Sequence, residues 1–518
     1  MISSTDDQLR LSTMETWFII IVSLFIAAII RSTLFRRRHH NKLPPGPSLL
    51  HSTFLQLTSK PVFINLRTRY GPIFTLYTAL VPVPSIFISS RSLAHEVLVT
   101  QGAVSSDRPK FFLNFNIGTS SYGPTWRLLR RNLATEIMHP TRIKSYSWAR
   151  KWAFHILISR LLEEQDDAAG VEVFDHFYYV LFRLSVVMCF GDKFDESRVN
   201  EFINVQREIV SLVVSGKLSW FPGRLGRILF RNLWKEFDKL RDDREQMLLP
   251  IIKSRLESDC LDEHGVVAYV DTLANLHLPK DEVDNREGGK LTDKEMVNLT
   301  SEFVTGGTDS TASALLWIMA NLVKYPHIQS KLYDEIVAVV GQPPRRPQKG
   351  VDVEPESVIN EEDLQKMRYL KAVVLEALRR HPPVHFPLPH RVRKEVEVEG
   401  YTIPEGATVI CTVPEMSWDP KVWGEPMEFK PERFLVNDDV FDITGSKEIK
   451  MMPFGAGRRI CPGSSLAFLH LEYFVANLIW YFHWTVPEGY SVDLSENDDQ
   501  AVVMKNPLRA RISSRAEK

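Results

Sequence analysis

The sequence predicts a mainly α protein with small β-sheets, preceded by a single N-terminal transmembrane helix. From about residue 48 onward, most long segments show the apolar periodicity of helices. Segments that resemble strands, such as "GPIFTLYT" at residues 71–78 and "VEVEGYTIP" at residues 396–404, are short and few. An apolar run near the start, with charged residues only near its ends, is long enough to form a membrane span.

Composition excludes several classes of function. The chain has 63 basic and 64 acidic residues, so no overall field favours nucleic acid, and we expect no nucleic-acid partner. With 44% hydrophobic residues among its 518, the chain can bury a sizeable core. The four cysteines are far apart and form no CxxC pair, which argues against a zinc site and against a secreted domain held by disulfides. A reducing compartment is expected.

The apolar run "METWFIIIVSLFIAAIIRSTLF" occupies residues 14–35 and would form a helix about 33 Å long, enough to cross a bilayer core. The basic stretch "RRRHH" that follows predicts that this end faces the cytosol. A cleaved signal peptide is the alternative, but an acidic pair precedes the run and no small-residue cleavage site follows it. We therefore expect a membrane anchor with its basic flank at residues 1–40, a proline-rich hinge at 41–48 and a globular domain at 49–518.

One helix is predicted to be unusually long. Thr292 and Glu295 form a capping box, and the helical pattern then runs to Lys324, just before Pro326. Midway it contains "GGTDST" at residues 306–311, although each glycine inside a helix costs about 1 kcal/mol relative to alanine. A packing contact or kink explains the glycines as well as the close approach of a flat ligand does, so both remain open.

A second unusual stretch, "PFGAGRRICPG" at residues 453–463, surrounds Cys461 with glycines and two arginines. The cysteine lies just before an apolar helix, where the helix dipole and the arginines are expected to favour the thiolate. It could be a metal ligand or a nucleophile, and no residue within the loop could act as its base. A lone cysteine is more often a small buried hydrophobic residue, and the local pattern alone does not exclude that.

The spacing of Phe454, Gly457, Arg459, Cys461 and Gly463 resembles the heme-binding loop of the cytochromes P-450 at every fixed position. The resemblance extends along the chain, because "WRLLR" at 126–130, "GGTDST", "EALR" at 376–379 and "PERF" at 431–434 occur in the family's order. These motifs resemble those of the plant microsomal enzymes, with plant subfamily 89A as a candidate. The resemblance implies the cytochrome P-450 fold, heme b as cofactor and O2 as co-substrate.

The same resemblance assigns roles around the heme. It implies that Cys461 is the thiolate ligand of the iron and that Phe454 packs near the sulfur. Anionic propionates need cationic or hydrogen-bonding partners, which the family supplies from positions that match Trp126, Arg130 and Arg459. Another propionate contact follows "PPVHFPLPHRV", where His390 fits best and Arg391 is the second candidate.

On the other side of the heme, the resemblance implies that Gly306 and Gly307 make room for dioxygen. The acid-alcohol pair that delivers protons falls on Asp309 and Ser310. Most family members have threonine at the position of Ser310, so the chain keeps the hydroxyl but loses the methyl group that restricts its rotamers. Thr311 offers a neighbouring hydroxyl about 100° round the helix.

Glu376 and Arg379 lie one helical turn apart. Taken alone, such a pair is usually a solvated ion pair of small energetic value. The resemblance implies that the two join Arg433 of "PERF" in a buried triad behind the heme, with a structural role.

The resemblance also predicts the pocket and the partners. The pocket segments are residues 110–118, 303–306, 384–388 and 501–504, which are mostly apolar and suit a hydrophobic or amphipathic substrate. Residues 218–230 either dip into the membrane interface or form an ordinary packing surface. Because the sequence has no GxGxxG dinucleotide fold, electrons must come from another protein. In microsomal relatives that protein is NADPH-cytochrome P-450 reductase, with cytochrome b5 sometimes assisting.

The leading hypothesis is therefore a monooxygenase anchored in the endoplasmic reticulum membrane, with its catalytic domain facing the cytosol. One alternative is a heme-thiolate isomerase or lyase that acts on a fatty-acid hydroperoxide without external electrons. Those relatives tend to have an altered heme loop and to lack the acid-alcohol pair, and both features are intact here. The other alternative is a heme protein that binds ligands without turnover.

Overall fold

The computed structural model describes residues 43–48, 61–78, 81–110, 115–165, 169–191, 194–214, 230–257, 265–281, 286–343, 358–436, 441–497 and 502–515, with single positions 23, 30 and 52 and the pair 227–228. The chain divides into two compact units. The first comprises Met1–Pro109 with Pro387–Thr412, and the second comprises Lys110–Phe386 with Val413–Lys518. Each unit is described by itself.

Helices dominate the described residues, as predicted. In chain order they are α1 Pro61–Tyr70, α2 Arg91–His95, α3 Gly102–Ser105, α4 Pro124–Asn132, α5 Pro140–Ser145, α6 Ser147–Glu164, α7 Phe174–Phe190, α8 Glu196–Val214, α9 Arg231–Glu257, α10 Tyr269–Ala274, α11 Asp293–Lys324, α12 Pro326–Val340, α13 Glu361–Leu364, α14 Arg368–Arg380, α15 Val413–Ser417 and α16 Ser464–Tyr481. Single π-helical turns at Glu96–Thr100 and Leu133–Ile137 follow α2 and α4, and 3-10 turns occur at Pro431–Phe434 and Gly457–Arg459.

The strands are short. They are β1 Ile73–Thr78, β2 Val81–Ile88, β3 Val171–Glu172, β4 His277–Leu278, β5 Gly289–Lys290, β6 His390–Arg391, β7 Val396–Val398, β8 Tyr401–Ile403, β9 Thr408–Cys411, β10 Phe482–Thr485 and β11 Arg509–Ser514. Both strand-like segments of the sequence are confirmed, the first as β1 and the second as the antiparallel pair β7 and β8.

The first unit is built on a four-stranded sheet with the order β1-β2-β9-β6. Strand β2 pairs antiparallel with β1 and parallel with β9, while β6 pairs antiparallel with β9. In the turn between β7 and β8, Glu399 and Gly400 have φ angles of 46° and 81°. Glycine adopts this left-handed region at little cost, which explains its place in the turn.

The second unit is organised around α11, which has 32 residues and packs against α7, α9, α14 and α16. Its start and end are those the sequence predicts. The Thr292 side chain accepts a hydrogen bond from the Glu295 amide, the Glu295 carboxylate accepts one from the Thr292 amide, and Pro326 begins the next helix. The C-terminal half of α11 is buried on all sides, so this helix forms the centre of the hydrophobic core.

Two small sheets complete the second unit. Strands β10, β11 and β3 form an antiparallel sheet, and β4 pairs with β5. Across the described ranges, no helix is both long enough and apolar enough to cross a membrane. The predicted anchor at residues 14–35, apart from two single positions, and most of residues 218–230 lie outside the described residues.

Candidate active site

The loop before α16 is closed by its own backbone. The Cys461 amide donates to the Phe454 carbonyl at 2.8 Å, and Gly455 and Gly457 turn the chain with φ angles of 72° and 69°. These positive φ values explain why the loop needs glycine at both positions. Cys461 is thereby placed three residues before Ser464, the first residue of α16.

Cys461 differs from the other described cysteines. Cys189 and Cys411 are buried, and burial raises the pKa of both thiols, that of Cys411 to about 12. Cys461 is partly exposed. Burial also raises the pKa of Cys461, and the Gly463 amide and the charge of Arg130 only partly oppose this.

We expected the helix dipole and the neighbouring arginines to stabilise the Cys461 thiolate. In the folded protein, burial of the sulfur outweighs both influences and favours the thiol. Desolvation of the sulfur is the larger effect, and the side chains of both loop arginines bind elsewhere. Arg458 donates to the Tyr122 hydroxyl, and Arg459 donates to backbone carbonyls. A bound metal cation deprotonates a coordinating thiol outright, so the site suits a metal ligand better than a free nucleophile.

The three predicted propionate partners of the second unit lie around this loop. The Arg459 guanidinium stacks 4.3 Å from the centre of the Trp126 ring. Both side chains donate to the Ile117 carbonyl, Trp126 Nε1 at 3.0 Å and Arg459 Nη1 at 3.1 Å. Arg130 Nη2 donates to the Ile460 carbonyl at 2.6 Å. The structure thus brings Trp126, Arg130 and Arg459 together with the cysteine loop.

Glu302 of α11, which the sequence does not single out, holds the segment that contacts the cysteine loop. The two carboxylate oxygens of Glu302 accept from the consecutive amides of Ile117 and Gly118, each at 2.7 Å. The carbonyl of Ile117 is bound by Trp126 and Arg459, so side chains from three elements fix this one residue's backbone. The available signal was an acidic residue one turn before Gly306.

The surroundings of the two glycines in α11 differ, so each glycine has its own explanation. A Cβ placed on Gly307 would come within 2.8 Å of Ser185 Oγ on α7, so Gly307 permits close helix packing. A Cβ on Gly306 would meet nothing within 4 Å, and both Gly306 and Ser310 are exposed while Thr308 and Thr311 are buried. The packing explanation therefore holds for Gly307, and Gly306 and Ser310 form an accessible strip on α11.

The predicted acid-alcohol pair does not share one face of α11. Ser310 Oγ lies 3.5 Å from the Gly306 carbonyl, on the accessible strip. The Asp309 carboxylate instead accepts a hydrogen bond from Tyr178 of α7 and faces the charge of Arg207 of α8. Burial is the largest influence and raises the pKa of Asp309 to about 6, and within the described residues its Oδ1 has no hydrogen-bond partner.

Further predicted residues lie in the first unit, on β6. His390 Nδ1 lies 2.8 Å from the Ser105 carbonyl, and Arg391 Nη1 donates to Asp107 Oδ2 at 3.2 Å. Asp107 is buried, so Arg391 already serves as the partner of a desolvated carboxylate.

Glu376, Arg379 and Arg433 form one hydrogen-bonded cluster. Arg379 donates from Nε and Nη2 to the two Glu376 oxygens at 2.7 and 2.8 Å, and both side chains are fully buried. Arg433 Nε donates to Glu376 Oε1 at 3.2 Å. Arg379 also donates to the carbonyls of Ser417 and Pro426, so the cluster connects α14 to the chain beyond α15.

These features fit a flat, dianionic metal cofactor. An accessible thiol precedes α16, α16 packs against α11, and α11 presents an open glycine beside a hydroxyl. Cationic side chains surround the thiol loop. The family model described as cytochrome P-450 matches residues 43–512. The chain belongs to the cytochrome P-450 family.

Individual relatives agree with this cytochrome P-450 assignment. The chain is 42% identical to cytochrome P-450 89A9 of Arabidopsis thaliana, over 96% of this chain and 98% of that protein. It is 29% identical to isoflavone 2'-hydroxylase of Glycyrrhiza echinata, over 97% and 98% of the two chains. A zebra fish cytochrome P-450 solved with progesterone matches with a TM-score of 0.71 at 22% identity, over 88% of this chain and 100% of that one. That last similarity supports the fold alone.

The predictions of family and cofactor are therefore confirmed. The protein is a cytochrome P-450 monooxygenase of plant type, and its similarity to the 89A9 protein supports subfamily 89A. Family membership implies heme b held by a cysteine thiolate, with O2 as co-substrate. Cys461 is the described cysteine that the fold leaves accessible for this role.

Proposed function

We propose that this cytochrome P-450 inserts one oxygen atom from O2 into a hydrophobic or amphipathic small molecule, using electrons from NADPH delivered by NADPH-cytochrome P-450 reductase. The observation that carries the proposal is the accessible Cys461 thiol before α16, together with the open strip of Gly306 and Ser310 on the helix that packs against α16. Heme bound here supplies the activation of dioxygen.

The protein's own residues hold the cofactor. Cys461 supplies the thiolate, and Phe454 of the same loop packs near the sulfur. The propionates accept hydrogen bonds from Trp126, Arg130 and Arg459. These side chains then give up the backbone carbonyls that they bind here, because carboxylates are stronger acceptors. At the remaining propionate contact we assign His390 rather than Arg391, because the Arg391 guanidinium already donates to the buried carboxylate of Asp107.

Proton delivery is assigned to Ser310 and Asp309. The Ser310 hydroxyl lies on the accessible strip and can both donate and accept a proton at Oγ. A pKa of about 6 lets Asp309 exchange a proton near neutral pH, and Tyr178 and Arg207 orient its carboxylate about 100° round α11 from Ser310. Thr311 is buried, so its hydroxyl is a weaker candidate than that of Ser310.

The substrate class follows from the expected pocket segments, which are mainly apolar or aromatic. Two relatives support a small organic molecule, because they are named isoflavone 2'-hydroxylase and phenylacetaldehyde oxime monooxygenase. The second of these is 27% identical to this chain. No residue in the described pocket segments identifies one compound.

The membrane location remains part of the proposal. Residues 14–35 would span the endoplasmic reticulum membrane once, and residues 41–48 would hold the domain of residues 49–518 on the cytosolic side. This orientation places the protein in the same compartment as its reductase and lets cytochrome b5 assist.

The decisive experiment reconstitutes the purified protein with the reductase in lipid vesicles. Candidate substrates are first screened by the shift in heme absorbance that accompanies displacement of water from the iron. Products are then measured with and without NADPH, using labelled O2. We expect product that carries one labelled oxygen only when NADPH and reductase are both present. Conversion of a fatty-acid hydroperoxide without NADPH would instead support the isomerase or lyase, and binding without any product would support a non-catalytic heme protein.

A further inference from the structure

Glu496 lies between two histidines that come from a different part of the chain. Its Oε1 is 3.1 Å from His381 Nδ1, and its Oε2 is 2.9 Å from His385 Nε2. The His381 side chain is fully buried, while those of His385 and Glu496 are each 16% exposed. One carboxylate therefore connects both ends of residues 381–385, which follow α14, to the segment that begins at residue 494. We call Glu496, His381 and His385 the His-Glu-His clamp.

Both segments joined by the clamp also contact α11. The His381 ring stacks on Trp317 with ring centres 3.8 Å apart and planes inclined by 6°. Trp317 Nε1 and Ser313 Oγ both donate to the Val502 carbonyl, at 3.0 and 2.7 Å. The Val502 amide donates a hydrogen bond to the Pro383 carbonyl at 3.4 Å. The segment at residues 381–385, the segment at Val502 and helix α11 therefore each contact the other two.

The charge of Glu496 opposes separation of the two segments that the clamp joins. Burial lowers the pKa of His381 to about 4, so its ring is neutral near pH 7. Burial opposes ionisation of Glu496, but the hydrogen bond from His381 and the 2.9 Å contact with His385 bring its pKa to about 2. The charge of Arg380 also acts on both Glu496 and His381, and that of Arg379 adds to the effect on His381. An ionised, largely buried Glu496 without its histidines would be costly, so the two segments cannot separate freely.

We propose that Glu496 is a positioning residue that, through the His-Glu-His clamp, sets the spacing between residues 381–386 and the described residues 496–497 and 502–504, and thereby limits the size of ligand that the substrate pocket admits. The proposal rests on the proposed function, since residues 384–388 and 501–504 are expected to line the pocket. Glu496 and His381 lie outside these expected lining segments, and His385 lies within one of them. Glu496 therefore acts on ligands through the placement of the segments rather than by direct contact.

The test uses two azoles that bind heme iron through nitrogen and report binding by absorbance. Imidazole is small and measures access to the iron, whereas clotrimazole is bulky and measures the shape of the pocket. In full-length, heme-loaded protein, we expect Glu496→Gln to change the Kd for clotrimazole about tenfold or more and that for imidazole by less than about twofold. Hydrogen exchange of the backbone at residues 502–504 should become faster in the same variant.

Asp493→Asn is the matched control. It removes the same charge from the same segment, but within the described part of the chain the Asp493 carboxylate accepts hydrogen bonds from the local Ser495 and Asn506. We expect it to leave both azole affinities and the exchange of residues 502–504 unchanged. His385→Gln removes one arm of the clamp, and it should shift clotrimazole binding in the same direction as Glu496→Gln. It also serves as the deciding variant if Glu496→Gln does not fold.

The outcomes separate this inference from the proposed function. Failure of the unaltered protein to bind either azole would count against the heme site itself. Normal imidazole binding combined with unchanged clotrimazole affinity in Glu496→Gln, or in His385→Gln, would overturn the role of the clamp and leave the proposed function standing. An equal change for both azoles would also overturn it, because spacing at the pocket would then not be what the clamp controls.

Discussion

At the scale of single residues, Ser310 stands where the resemblance to the family leads us to expect threonine. Its hydroxyl lies on the accessible strip of α11, but its nearest acceptor, the Gly306 carbonyl, is 3.5 Å away and holds it weakly. Serine also lacks the methyl group that restricts the rotamers of threonine. The hydroxyl is therefore available for proton transfer without being fixed in one orientation.

We expect Ser310→Ala to keep heme and to bind substrate normally while raising the hydrogen peroxide released per NADPH, because the proton-carrying hydroxyl is gone. A loss of product of about tenfold or more is the scale typical of removing a general acid or base. Ser310→Thr is the control and should couple at least as well as the unaltered protein. Unchanged peroxide release and product yield in Ser310→Ala would show that the relay lies elsewhere.

Asp309 shows how burial tunes a side chain. Its pKa in the folded protein is about 6 against an ordinary value of 3.8. Because folding raises the pKa of Asp309, the folded protein favours the protonated carboxyl. The free energy of unfolding therefore falls as the pH rises from about 4 through 6. Above pH 6 the ionised carboxylate destabilises the fold by about 3 kcal/mol at most.

Asp309→Asn removes that penalty. We expect the variant to have a higher Tm than the unaltered protein at pH 8. The difference should become small by about pH 4, where the folded state is protonated and the pH approaches the ordinary carboxyl pKa of 3.8. Scanning calorimetry at the two pH values provides the measurement. Asp175→Asn, at an exposed carboxylate paired with Arg207, is the control and should show no such gain. A lower Tm for Asp309→Asn at pH 8 would mean that its charge is stabilising instead.

At the scale of elements, α11 combines a packing surface with an open one. Gly307 allows α11 to approach α7 at Ser185, while Gly306, one residue earlier, faces open space. Neighbouring residues in a helix point about 100° apart, so two adjacent glycines can serve two different purposes. The helix therefore supports both the core and the proposed dioxygen side of the heme.

The two glycines predict different effects of alanine. Gly307→Ala should raise the Tm less than Gly306→Ala does, because its Cβ would come within 2.8 Å of Ser185 Oγ and this hydroxyl would have to turn away. Gly306→Ala should raise the free energy of unfolding by about 1 kcal/mol, since alanine favours the helix and meets no neighbour. Calorimetry of the two variants in parallel provides the comparison, each serving as the control for the other. Equal effects on Tm would contradict the assignment of different roles.

At the scale of the whole molecule, the cluster of Glu376, Arg379 and Arg433 connects helix α14 to the long irregular segment before the cysteine loop. Arg379 donates to the two Glu376 oxygens and to the carbonyls of Ser417, Pro426 and Glu428. A planar guanidinium can satisfy this many acceptors in fixed directions, whereas the ammonium of lysine has three donors. The cluster thus holds the segment that leads to the heme loop.

We expect Arg379→Lys to destabilise the protein by about 3 kcal/mol or more, because buried acceptors lose their donors, and to reduce the fraction that retains heme. Arg380→Lys is the matched control, since the neighbouring Arg380 is only half-buried and its Nε donates to one carbonyl, that of Met427. Heme content per protein and Tm are the measurements. If the two variants behaved alike, the buried cluster would not carry the stability assigned to it.

Much of this protein is determined by its sequence alone. The ends of α11 follow from a capping box and a proline, and the turn of the cysteine loop follows from its glycines, because these signals act between residues close in the chain. The spacing of the motifs was enough to predict the family and its cofactor.

Only the tertiary structure decided how side chains from distant segments meet. Glu302 binds the Ile117 amide 185 residues away, and His381 meets Glu496 across 115 residues. Which glycine packs, why Asp309 turns to Tyr178 and why burial outweighs the arginines at Cys461 all depend on neighbours brought in by folding. The reason is physical: desolvation and hydrogen-bond partners belong to a place in the folded molecule, and no local pattern specifies them.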